Sequence, residues 1–212
     1  MRFRILLILF GALLVAATYS FPLWRPLLVD DVVNEPFPGL PSELQSGFAV
    51  LTPAEQAEFL TMAETDPDMA LEMVAAALQA PVIVNNPDDA EMPENATESA
   101  IITDGDFVRI DPIHWAQGTA TIYQLPDNSK LLRFEDFRSA NGPDLYVILS
   151  ASEAPLTREE VELGNLHLEL GQLKGNVGDQ NYEIPAEVDL SLYNSIVIYC
   201  KPFHVVFSTA TI

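Results

Sequence analysis

The chain is poor in the residues that most often carry a function. Its 212 residues include one cysteine, three histidines and ten lysines and arginines, against 31 acids. A formal net charge of −21 leaves no basic patch to neutralise phosphates, which excludes nucleic acid as a partner and argues against peripheral docking on anionic lipid. The single cysteine, Cys200, cannot close an intrachain disulfide, so apolar packing alone must hold the chain together. There is no G-x-S-x-G, no H-E-x-x-H, no paired-acid pattern and no C-x-x-C-H. Hydrolase and transferase chemistry therefore has no visible kit.

What is present is unevenly spread. Residues 1–25 carry three arginines and no acid, whereas seventeen acids and no Lys or Arg lie between Arg25 and Arg109. Arg2 and Arg4 precede Ile5–Ala17, which has no charge or strong polar group, and apolar character continues through Trp24. That is the pattern of a secretory signal, and its length also suits a single bilayer crossing with Trp24 at the far interface. The expectation is a membrane anchor over residues 5–24 within a 1–25 segment, with the rest of the chain outside the cytoplasm. Cleavage near Val15-Ala16-Ala17 would instead give a secreted or periplasmic protein.

Five prolines between Phe21 and Pro41 make a tether of residues 26–51. Thr52-Pro53-Ala54-Glu55 combines an N-cap, an N1 proline and a capping-box acid, and Asp66-Pro67 repeats the start. The spacing predicts a helical pair over 53–64 and 67–79, within a segment 52–81. Met62, Met69 and Met73 fall at helical spacings; a soft-metal site is conceivable there, but methionine ordinarily fills apolar helix faces. Residues 82–104 are rich in acids and read as a linker.

From about residue 105 the texture is that of an all-β domain, an antiparallel β-sandwich or partly closed barrel. Runs rich in β-branched and aromatic residues, at Phe107–Ile110, Gly118–Leu125, Leu131–Phe137, Leu145–Leu149, Ile196–Cys200 and His204–Ser208, are punctuated by Pro, Gly, Asn and Asp. Leu145–Leu149 and Ile196–Tyr199 are apolar on both faces and should be central strands. Gly118-Thr119-Ala120-Thr121 is more polar and should flank solvent. The acidic, proline-bearing stretch before this domain suggests that residues 105–212 fold alone.

Six ordered motifs make this half of the chain specific. They are Gly118-Thr119-Ala120-Thr121-Ile122-Tyr123, Leu132–Phe137, Asn141-Gly142-Pro143-Asp144 running into Leu145–Ser150, Leu170–Asn176, Gly178–Pro185, and Ser195–Phe203 with Phe207–Ala210. In that order they resemble the DM-thirteen domain, found beside DOMON domains in Skeletor-type proteins. The resemblance covers about residues 105–212. It implies a β-rich extracytoplasmic domain with an electron-transfer role, and a cysteine at the position of Cys200. Where the family often has Trp before that cysteine, this chain has Tyr199.

Cys200 ends one strand run and His204 opens the next. If the two strands pair as a hairpin, Lys201 and His204 can favour the thiolate, making Cys200 a redox thiol or, with His204, a metal ligand. A small buried residue at a strand end is the competing reading. The cofactor is unknown. Haem or copper is conceivable, but no motif supports either: no methionine follows His204, and His114 and His167 lie in turn-rich stretches where exposed histidines are ordinary. Gly175–Tyr182 is a dense polar loop, either a ligand cradle or a sharp turn. Two functions follow: a membrane-tethered redox domain acting with a redox partner protein, or a non-enzymatic binding or adhesion module.

Overall fold

The structure is a computed structural model that describes residues 39–93 and 99–212, together with 10–12, 15, 16 and 18–21. It divides into two compact units, 1–35 and 36–212. In the first, the described residues 10–12, 15, 16, 18, 19 and 21 are helical. Most of the apolar run expected to anchor the chain lies outside the described residues. Among the described residues no helix is long and apolar enough to cross a membrane.

In the second unit the local start signals hold. Helix α1 is Ser42–Phe48, inside the stretch read as tether, and it buries Phe48. α2, Pro53–Thr65, begins with the capping box: Glu55 N–H donates to Thr52 Oγ1, and Thr52 N–H donates to Glu55 Oε2 at 2.8 Å. α3, Pro67–Ala77, begins where Asp66 Oδ1 accepts from Met69 N–H at 2.9 Å. Gln56 Nε2 donates to the carbonyls of Phe48 and Leu51, which fixes the α1–α2 corner.

Among the described residues nine strands follow in two antiparallel sheets, which do not close into a barrel. The first sheet runs β1 (Ala100–Asp106), β3 (Ala116–Gln124), β4 (Lys130–Ser139), β7 (Gln180–Ile184). The second runs β2 (Val108–Arg109), β9 (Val205–Thr211), β8 (Ser195–Cys200), β5 (Leu145–Ser150), β6 (His167–Gln172). Alternation along β8 explains its all-apolar reading. Ile196, Ile198 and Cys200 face the core shared by both sheets, while Val197 and Tyr199 join Ile148, Val206 and Val161 in a second cluster. Val161 comes from the short helix Arg158–Val161.

The run Gly118–Thr121 does not flank solvent as its composition suggests. It lies in β3, an interior strand, and Ala120 and Thr121 are buried. Gly118 sits at a bulge with φ +107°, and a Cβ there would lie 2.6 Å from Glu135 O, so both backbone angle and close approach require glycine. Phe107, Phe134 and Phe137 meet with ring centroids 4.9–5.3 Å apart and anchor the centre of the core.

Two expected boundaries look different in three dimensions. Phe48, Phe59, Met73 and Val74 of the helices belong to the same apolar cluster as the inter-sheet residues. The acidic stretch is also docked over much of its length: Val84 N–H donates to Val177 O, and Val82 N–H to Asn176 Oδ1. Within the short helix Pro87–Ala90, Asp89 pairs with Lys174, and Ala90 O accepts from Arg133 Nη1 at 2.9 Å.

Candidate functional site

Cys200 closes β8 with no exposed surface. Its Sγ donates to Pro143 O at 3.1 Å, from the Asn141–Asp144 connection that leads into β5. Burial pushes the thiol up to about 11, with a backbone contact from Phe203 opposing the shift. The thiol is therefore neutral and covered near pH 7, which is the opposite of the electropositive, open setting that makes a cysteine nucleophilic.

His204 does not reach it. The β8–β9 turn holds His204 at φ +56°, and its exposed ring lies by the second apolar cluster rather than by the thiol. Tyr199 Oη meets Nδ1 at 3.1 Å, and Arg158 Nη1 meets Nε2 at 3.2 Å. Because a guanidinium only donates, Nε2 accepts, and the neutral ring's proton sits on Nδ1 and points at the Tyr199 oxygen. Tyr199 and Cys200 are adjacent on a strand, so their side chains leave opposite faces, and His204 follows Tyr199. Lys201 is likewise directed elsewhere: its Nζ is 2.8 Å from Glu169 Oε2 and 4.2 Å from the Tyr146 ring centroid.

The histidines diverge as well. His167 is exposed on β6, an edge strand. His114, which its turn-rich setting suggested would be exposed, is 6% exposed and packs edge-on against Phe207. Asp111 explains this. Its carboxylate accepts from the backbone N–H of Ile113 and His114 and pairs with His114 Nδ1, folding Asp111–His114 into a turn that carries the imidazole inward. Burial pushes the Asp111 carboxyl up, but these hydrogen bonds outweigh it and hold it below its ordinary value. His114 Nε2 is buried without a hydrogen-bond partner. Asp111-Pro112, a turn-forming pair just before His114, is the sequence signal that points to this arrangement.

A copper site of the cysteine–histidine type does not fit these positions. Cys200 lies in the inter-sheet core, His204 has both nitrogens engaged beside Tyr199, and His167 is at an edge. Among the described residues no group of three or more His, Cys, Asp or Glu is placed to hold a metal ion. The methionines Met69 and Met73 pack in the apolar cluster. The polar loop Gly175–Tyr182 is wired internally: Gln180, fully buried, donates through Nε2 to Gly175 O, and its Oε1 accepts from Tyr182 Oη at 2.7 Å. The loop shapes the turn and receives the 82–84 segment.

The architecture is thus an antiparallel β-sandwich whose lone cysteine is buried at a strand end. Residues 106–212 match the family model described as Electron transfer DM13, and the chain belongs to that family. No curated protein and no solved structure matches the chain.

Proposed function

We propose that this protein is an electron-transfer domain displayed outside the cytoplasm, tethered through residues 5–24, and that its redox behaviour depends on Cys200. The family match over 106–212, which includes Cys200, carries the electron-transfer part. The arginine-flanked apolar run at the start of the chain supports the tether. The geometry constrains how Cys200 acts. With its proton held on sulfur at neutral pH, oxidation of the thiol removes one electron and one proton together. The Pro143 amide oxygen orients that proton but is not a base that takes it. The proton therefore passes to water and the electron to an oxidising partner protein.

The test is protein-film voltammetry of the full chain alongside thiol titration. The native thiol reacts with an aromatic disulfide reagent much more slowly at pH 7 than the denatured chain does. Cys200→Ala abolishes the voltammetric wave. His204→Ala leaves the thiol's reaction rate unchanged, because the two side chains do not touch. A wave that survives Cys200→Ala refutes the cysteine-centred role. A soluble mature protein starting near Thr18 refutes the tether.

A further inference from the structure

A cleft of about 310 Å³ lies between the helices and one end of the sandwich. The apolar walls open to a ligand are side chains that are only partly buried: Leu51, Ala77, Trp115, Ala140 and Val177. Its volume falls at the small end of ligand pockets, which combine such walls with a few polar groups that fix orientation. Arg138 stands in the same lining and is exposed. Its backbone is held on both sides, opposite Gln117 of β3 and bridged to Val177.

Arg138 is the one cation left over. Acids outnumber Lys and Arg by 31 to 10, yet among the described residues Arg138 has neither a hydrogen bond nor an ion pair through its side chain. Every other described Lys or Arg is engaged. Arg109 donates to the Asp111 and Pro112 carbonyls, Lys130 to those of Ala186 and Val188, and Arg133, Arg158, Lys174 and Lys201 pair with carboxylates. Two acids on this side of the molecule are committed to other groups. Glu55, which shares the lining, accepts through Oε2 from the N–H and hydroxyl of Thr52. The Asp111 carboxylate accepts from the N–H groups of Ile113 and His114 and pairs with the His114 ring.

We propose that this cleft binds a small organic monocarboxylate, with the carboxylate paired to the Arg138 guanidinium and an apolar body against Trp115. A guanidinium presents two parallel N–H groups that match the two oxygens of a carboxylate, and such charge-assisted pairs are the strong ones. Arg109 lies 4.8 Å from the Trp115 ring centroid and adds positive potential at the same wall. A cationic ligand is repelled there, and a neutral one leaves the guanidinium unanswered. A phosphate dianion finds no second guanidinium in the lining, and Glu55 repels it more than it repels a monoanion. The overall charge of −21 does not forbid the site, because exposed charges beyond about 8 Å are largely screened at physiological ionic strength. The site is independent of the role of Cys200.

The test is a titration of the ¹⁵N-labelled full chain with sodium phenylacetate, observed through the indole N–H of Trp115. A Trp24→Phe background removes the other tryptophan. Saturable shifts are expected below about 5 mM, as suits a ligand of so few atoms. The neutral isostere 2-phenylethanol binds about tenfold more weakly, the loss of a charge-assisted hydrogen bond, and inorganic phosphate gives no shift over the same range. Arg138→Gln weakens phenylacetate binding about tenfold and leaves the melting temperature unchanged, because the side chain has no partner in the free protein to lose. Arg138→Lys keeps the charge without the fork and falls between the two. A lowered melting temperature in Arg138→Gln would show that the residue already serves the fold, and overturns the premise. No saturable shift with phenylacetate, equal affinity for 2-phenylethanol, an equal response to phosphate, or unchanged affinity in Arg138→Gln each overturns the proposal.

Discussion

Phe59→Ala tests whether the helical pair and the sandwich are one cooperative structure. Phe59 is 2% exposed, lies 6.3 Å from Phe48 between ring centroids, and shares an apolar cluster with residues of both sheets. Truncating a buried phenylalanine costs about 3–5 kcal/mol, because the lost transfer energy is joined by a cavity that the surroundings only partly fill. In a unit of this size each kcal/mol lowers the melting temperature by about 2–4 °C, so the expected drop is about 6–20 °C. The assay follows the melt by far-UV circular dichroism at the helical minimum and by Trp115 fluorescence in a Trp24→Phe background. If the unit is cooperative, both probes move together by that amount. If the helical signal melts early while the Trp115 transition stays at the wild-type temperature, the shared-core reasoning is refuted, and residues 105–212 fold alone as their closed set of strands suggests.

Two further predictions concern the docked acidic stretch and the His114 turn. Arg133 is 7% exposed and donates to Ala90 O, Asn181 Oδ1, Asp179 and Glu135. Arg133→Met therefore costs about 2–3 kcal/mol in urea denaturation, a modest figure because both carboxylates remain within reach of water; limited proteolysis then cuts within 82–98, and uncut protein would show that Arg133 does not hold that stretch. The Asp111 carboxyl is held below its unfolded value, so its contribution to stability is present above pH about 4 and lost as pH falls through the folded value. Asp111→Asn consequently flattens the loss of stability on acidification, read as melting temperature from pH 5 to pH 2, and an unchanged slope would disprove the coupling.

Sequence alone determined the features whose causes are local. The capping box at Thr52–Glu55 and the Asp66 cap need only three residues' separation, so α2 and α3 were legible to within a few residues of their ends. The apolar runs Leu145–Leu149 and Ile196–Tyr199 named their own place, because only a strand covered on both faces can afford them. The six ordered motifs identified the family. The strands β1, β6 and β7 were not read as strands, since each lies at a sheet edge and mixes polar residues into its pattern.

Tertiary structure decided everything that depends on which side a residue faces or on partners far apart in the chain. Three residues separate Cys200 from His204, and that proximity in sequence suggested a Cys200–His204 pair. The alternation of β8 and the positive φ of His204 instead send the thiol to the core and the imidazole to Tyr199 and Arg158. His114 is buried because Asp111 folds its turn inward, which no periodicity announces. The acidic stretch is docked through Lys174–Asp89 and Arg133–Ala90, contacts 85 and 43 residues apart, and its composition alone describes a solvated spacer. That His114 Nε2 is buried without a partner becomes visible only once every neighbouring donor and acceptor has been placed.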